Sequence, residues 1–150
     1  MGFSWQIKHY SELSVDEFHD ILQLRIEVFV VEQNCPYQEV DGKDKDSFHV
    51  ICSDEKNQVC ATARILPNGI YYPDDVAIGR VVVHKKNRGA TLGHELMRES
   101  LAFISKQFGA TSIRISAQEH LSNYYQSHGF IETGKAYLED GIPHVEMLRK

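Results

Sequence analysis

A chain of 150 residues with 42% hydrophobic and 25% charged side chains is the length and composition of one globular domain spanning residues 1–150. No apolar run approaches the roughly 20 residues of a membrane-spanning helix, and a net charge of −5 argues against broad nucleic-acid binding. Cys35, Cys52 and Cys60 are odd in number and irregular in spacing; residues 1–10 lack the apolar core of a signal peptide, so reduced thiols and a cytoplasmic protein are expected.

Phe3, Trp5 and Ile7 alternate with polar residues, the period of a half-buried strand over 3–9. Ser14 and Glu17 have the spacing of a capping box, in which each side chain satisfies a free backbone N–H of the other's residue. Phe18, Ile21, Leu22 and Arg25 follow at helical spacing, with Val28 and Phe29 closing the face. A polar loop covers 33–46. Segments 48–53 and 58–66 read as a hairpin around Asp54-Glu55-Lys56-Asn57. Pro67-Asn68-Gly69 and Tyr72-Pro73-Asp74 mark a loop before a strand over 76–83. A long helix is predicted over 90–108, with Leu92, Leu96, Met97, Leu101, Ile104 and Phe108 on one stripe and Gly109 ending it. A strand over 112–117, a short helix over 121–128 and a hairpin of 130–138 with 142–148, turned by Asp140-Gly141, complete the chain. The order predicts a mixed, mostly antiparallel α/β (α+β) sheet with one locally parallel pair around a crossover helix.

The most informative stretch is Ile78-Gly79-Arg80-Val81-Val82-Val83-His84-Lys85-Lys86-Asn87-Arg88-Gly89-Ala90-Thr91-Leu92-Gly93. An apolar strand runs through a basic turn with two glycines into the long helix. Backbone N–H groups and a helix N-terminus converge there, which suits a phosphate or pyrophosphate. Lys85, Lys86, Arg88 and Arg98 against Glu95 make this a basic patch on an acidic protein, fitting a small polyanion. The turn lacks the Gly-Lys-Ser/Thr ending of a nucleotide-hydrolase loop. A zinc site from Cys35, His49, Cys52 and Cys60 lacks the short paired spacings zinc takes, so no metal is expected.

The element order, the turn Arg88-Gly89-Ala90-Thr91-Leu92-Gly93 and the run Tyr125-Gln126-Ser127-His128-Gly129-Phe130 resemble the GNAT acetyltransferase superfamily. Residues 24–37 and 139–144 resemble its ElaA-like branch in particular. The turn departs from the family pattern where Thr91 replaces a glycine. The resemblance implies a central splayed parallel strand pair, helices on both faces of the sheet, and acetyl-CoA as co-substrate. It places the pyrophosphate on Arg88, Gly89, Ala90, Thr91, Leu92, Gly93 and His94, and pantetheine against the backbone of Val81 and Val83. Gln118 stands where the family often has Asn, with Asn123 as an alternative amide.

The resemblance makes Tyr125 the general acid for the departing thiolate, unless it is simply a core aromatic. Strands 78–83 and 113–117 carry no Glu for a base, which leaves Glu32, His144 and His84. Arg25, Phe29 and Gln33, with Glu32, fall where the resembled fold forms its acceptor pocket. Arg25 alternatively pairs internally with Asp41, Asp44 or Asp46, since a buried Arg needs a partner. The acidic loop 39–46 is either solvated or draws in a cationic substrate. No cysteine has a nucleophile's setting. The expected activity is direct N-acetylation of a small-molecule or peptide amine; the alternative is a CoA or nucleotide sensor without turnover. Exposed strands at the sheet ends suit a homodimer.

Overall fold

The computed structural model describes residues 2–89 and 91–150. Its elements run β1 (Ser4–His9), α1 (Val15–Ile26), a π-helical segment (Glu27–Glu32), β2 (Phe48–Ser53), β3 (Val59–Leu66), β4 (Val76–Val83), α2 (Leu92–Phe108), β5 (Ile113–Gln118), α3 (Ser122–Gln126), β6 (Ile131–Glu139) and β7 (Ile142–Arg149). The strands form a seven-stranded sheet in the order β1-β2-β3-β4-β5-β7-β6. Among the described residues β4–β5 is the parallel pair and the other pairings are antiparallel. No helix among them is long and apolar enough to cross a membrane.

Local chemistry accounts for the element ends. Ser14 Oγ accepts from the Glu17 N–H at 3.0 Å and Glu17 Oε1 accepts from the Ser14 N–H at 2.9 Å, so the capping box starts α1 where its spacing predicts. Gly109 takes φ +75° beyond the last turn of α2, a conformation that costs glycine little. Asp140 and Gly141, at φ +52° and +78°, turn the β6–β7 hairpin.

The stripe of α2 puts Leu92, Leu96, Met97 and Ile104 into the main core with residues of β2 to β5. Each fully buried side chain of that size contributes roughly 1.5–3 kcal/mol. Leu24 and Val28 pack on the opposite face against Val82.

Strand β4 does not keep a simple alternation. Arg64 pairs with Gly79 and Thr62 with Val82, so Arg80 and Val81 together face Ala63. Arg80 sits at φ +51°. This bulge changes which side chains face which core. Val76 and Ile78 point into the main core before it, Val81 and Val83 pack there after it, and Val82 joins Leu24 and Val28. A bulge leaves part of the ladder unpaired and bends its strand. On its other side β4 meets β5 at two positions, Val76–Ile113 and Ala77–Arg114. Beyond them the two strands diverge around a cavity.

Candidate active site

The cavity has a volume of about 590 Å³, within the range of small-molecule sites. Its walls are the C-terminal half of β4, the facing half of β5, the π-helical segment, the turn before α2 and the β6–β7 turn. The parted strands expose backbone groups that a normal parallel ladder would use. The cavity reaches the N-terminal end of α2 at Gly89, Gly93 and His94.

At that end Gly89 has φ +84° with open space where a Cβ would stand. Thr91 has φ −96° and ψ 8°, within the range of ordinary residues, so the glycine of the family pattern is not required there. Leu92 sends its side chain into the core and can offer only backbone. Ala90 lies outside the described residues. Arg88 donates from Nε to the Val83 carbonyl at 3.0 Å, and its two terminal nitrogens reach Glu32 at 2.5 and 2.9 Å. Its side chain therefore braces the turn. His94 Nδ1 meets His128 Nε2 at 2.8 Å, and Tyr124 donates to the Gly93 carbonyl at 2.5 Å.

Tyr125 lines the same cavity and is 6% exposed. Burial, then the neighbouring Tyr124, pushes its phenol well above the usual tyrosine range. It is thereby kept as a protonated donor. Tyr125 also packs in the main core, and Tyr124 beside it, at 4.9 Å between ring centres, lines the cavity as well.

His144 stands across from this end on β7, 6% exposed and lining the cavity. Its Nδ1 lies 2.7 Å from the Ile142 carbonyl. A carbonyl only accepts, so Nδ1 carries the hydrogen, and Nε2, 3.8 Å from Glu139 Oε2, is the nitrogen left to exchange a proton. The ring stacks on Tyr137 at 6.2 Å and 13°, which fixes its plane. The other base candidates are engaged. Hydrogen bonds from Arg88 hold the Glu32 carboxyl below the usual range, which makes it a weak base. His84 Nε2 lies 3.1 Å from Glu27 and its Nδ1 accepts from the Lys86 N–H at 3.2 Å.

Chain regions 7–150 match the family model described as the Acetyltransferase (GNAT) domain. The chain belongs to the GNAT acetyltransferase family. It is 44% identical to the protein ElaA of Escherichia coli over 97% of this chain and 95% of that one. The crystal structure of Escherichia coli ElaA superposes with a TM-score of 0.92 at 43% identity, covering 99% of each chain. An acyl-CoA N-acyltransferase from Pseudomonas aeruginosa superposes at 0.93 with 42% identity, covering 99% of this chain and 100% of that one. The resemblance to the ElaA-like branch of the GNAT family therefore holds, and acyl transfer is the chemistry of this fold.

The structure gathers Val81, Val83, Arg88, Gly89, Gly93, His94, Gln118, Tyr125 and His144 around the GNAT cavity, together with Phe29, Glu32 and Gln33. Gln33 and Gln118 face each other across it, with amide groups 3.4 Å apart. Asn123 is exposed and stands outside the lining.

Arg25 is also outside the lining. It is 1% exposed, with Nε 2.5 Å from Glu39 and Nη1 2.8 Å from Asp44. The alternative of an internal ion pair therefore describes Arg25, with Glu39 and Asp44 as the partners. The acidic loop is not free to draw in a cation. Glu39 and Asp41 also hold Arg80, and Asp41 and Asp44 hold Arg64. Three arginines thus face three carboxylates. Burial, the largest single influence, pushes Asp41 and Asp44 upward, but the hydrogen bonds and charges of the surrounding arginines, with the Lys43 N–H at Asp41, together hold both below the usual range. The network clamps Arg80 in its left-handed conformation, a strain of roughly 1–2 kcal/mol offset by the ion pairs.

Sequence reasoning missed Glu139, Tyr71 and Tyr72, all of which line the cavity. Tyr71 and Tyr72 read as loop residues beside Pro73. Glu139 reads as the end of a hairpin strand, and only its place five residues before His144 links it to the site.

Proposed function

We propose that the protein is an acetyl-CoA-dependent N-acetyltransferase that moves the acetyl group directly to a primary amine. One observation carries this reading: a buried phenol and an imidazole whose Nδ1 is taken by a backbone carbonyl line the same gap in the GNAT sheet. The residues present fit the thioester's carrier. The bulged half of β4 has no partner on its β5 side, so Val81 and Val83 can hold pantetheine amides as a neighbouring strand would. Gly89 and Gly93 let a diphosphate approach the N-terminus of α2.

Acetyl-CoA brings an activated thioester: the C–N bond forms, the C–S bond breaks, one proton leaves nitrogen and one reaches sulfur. His144 Nε2 takes the proton from nitrogen, directly or through one water. Tyr125 gives its hydroxyl proton to sulfur, and burial keeps that proton in place beforehand. Exchange with water restores both side chains. Most of the rate enhancement comes from positioning. A sensor without turnover needs no base, and the place of His144 on the cavity wall counts against that alternative. Three unpaired cysteines support a reducing intracellular setting.

The test is free-thiol release from acetyl-CoA with a panel of amines. Amine-dependent release is expected. Absence of release with every amine, alongside turnover-free CoA binding in calorimetry, would instead support the sensor.

A further inference from the structure

Away from the cavity, the main core holds two thiols that the reaction does not use. Cys52 and Cys60 are 0% and 1% exposed, unpaired, and absent from the cavity lining. Their sulfurs are 3.5 Å apart, and Cys60 Sγ lies 3.3 Å from the Cys52 carbonyl. A bulge brings them together. Cys52 pairs with Ala61 and Ser53 with Val59, so Cys60 is the extra residue of β3. In an unbroken ladder Cys60 would stand opposite Ser53, and its side chain would leave by the other face of the sheet from Cys52. The bulge instead turns it into the core beside Cys52.

Two thiols at that spacing have one compact product. A disulfide needs sulfurs about 2.0 Å apart, so closing the bond draws them together by roughly 1.5 Å. The hydrogen bond between the sulfurs holds Cys60 below the ordinary thiol range and pushes Cys52 above it. Cys60 is thus the member that meets an oxidant first, and Cys52 is the resolving thiol already in place. Burial restricts the oxidant. A bulky disulfide such as oxidised glutathione has no path to either sulfur. A small neutral peroxide enters as water does, through local opening of the disrupted ladder beside the exposed turn at 55–58.

The same bulge is tied to the cofactor end. The Cys60 carbonyl accepts from the His84 N–H at 2.7 Å, just beyond the last residue of β4. Two residues before Cys60, Gln58 accepts from Lys86 Nζ at 3.1 Å. His84 and Lys86 open the turn that leads to Gly89 and α2. Cys52 and Ala61 are locked in a close-packed core. The movement that closes the bond therefore falls on the peptide of Cys60 and is passed to His84.

We propose that Cys52 and Cys60 form a peroxide-sensitive dithiol that closes to a disulfide and loosens the turn before α2. The Cys60 thiolate attacks one peroxide oxygen, the O–O bond breaks, and the departing hydroxide takes up the proton that the thiol released. Cys52 then attacks the sulfenic acid: the S–S bond forms, the S–O bond breaks, and the Cys52 proton leaves with the hydroxyl as water. Two thiols and one peroxide yield one disulfide and two waters. Resting on the acetyltransferase reading, the oxidised protein binds CoA more weakly than the reduced one.

The test treats the full chain with hydrogen peroxide or with oxidised glutathione, blocks the remaining thiols, and maps the products by mass spectrometry, with amide exchange of His84 followed by NMR. Peroxide is expected to link Cys52 to Cys60 with loss of two hydrogens, to leave Cys35 free, and to be reversed by dithiothreitol. Oxidised glutathione should leave both thiols unchanged. The His84 amide should exchange at least about fivefold faster in the oxidised protein, the ordinary weight of one weakened backbone hydrogen bond. CoA affinity in calorimetry should fall several-fold. Cys60→Ala should abolish the link and the peroxide effect on exchange. No Cys52–Cys60 link, sulfinic acid in its place, a link to Cys35, or a glutathione adduct on either thiol would overturn the proposal. So would a link that leaves His84 exchange unchanged, or one that leaves the CoA affinity of a binding protein unchanged. A reduced protein that binds no CoA would remove the acetyltransferase reading alone, because the link and the exchange are read without CoA.

Discussion

Arg88 grips Glu32 with two parallel hydrogen bonds of 2.5 and 2.9 Å, tying the π-helical segment to the turn that opens α2. A second strap joins the same two segments, with His84 3.1 Å from Glu27. The wall that carries Phe29 and Gln33 and the turn that faces the diphosphate are thus held as one frame.

This gives Glu32 a bracing role. Glu32→Gln should raise KM for acetyl-CoA several-fold, with kcat changed by less than about threefold. The exposed pair contributes under about 1 kcal/mol to stability. Steady-state kinetics with acetyl-CoA varied checks it; a kcat loss of a hundredfold would return Glu32 to the role of base.

Tyr125→Phe removes the proton donor and leaves the ring. A loss of about a hundredfold in kcat is expected, at the lower end for a general acid because a thiolate leaves readily. KM for acetyl-CoA should stay within about twofold. His144→Gln should lower kcat by about 10²–10³-fold with CoA affinity unchanged, as measured by single-turnover kinetics and calorimetry.

Arg25→Met leaves Glu39 and Asp44 buried with less compensation. Breaking one partner out of a buried pair costs about 3–5 kcal/mol, so the urea midpoint should fall sharply. Whatever fraction stays folded should keep its affinity for CoA, because Arg25 does not line the cavity.

Much of the fold is legible in the sequence, and the reasons are local. Ser14 and Glu17 start α1, Gly109 ends α2, and Asp140-Gly141 sets the last hairpin. The cofactor end is legible too, because a Gly-containing turn between an apolar strand and an amphipathic helix is a local signal. The acceptor end is assembled from parts distant in sequence. Glu39 meets Arg80 across 41 positions and Gln33 meets Gln118 across 85, and no periodicity reports such pairs. The bulge at Arg80 was hidden for a related reason: Val81-Val82-Val83 is apolar on both faces, so its change of direction leaves no trace in the pattern.

Acid should destabilise the protein in two stages. Burial holds His49 below the usual imidazole range, so the unfolded chain takes up that proton first as pH falls below about 6.5, and stability declines from there. Asp41 and Asp44 are depressed. Their contribution is complete above the unfolded carboxylate value of about 3.9 and is lost as pH falls through the lower folded values. Urea midpoints from pH 8 to pH 3 check this, with His49→Gln expected to flatten the upper stage alone.

The most direct test of the whole account is a crystal structure with CoA bound. The diphosphate should rest on the N–H groups at the start of α2, pantetheine should lie between β4 and β5, and the sulfur should come within hydrogen-bonding distance of the Tyr125 hydroxyl. CoA bound outside that gap, or a sulfur out of reach of Tyr125, would contradict it.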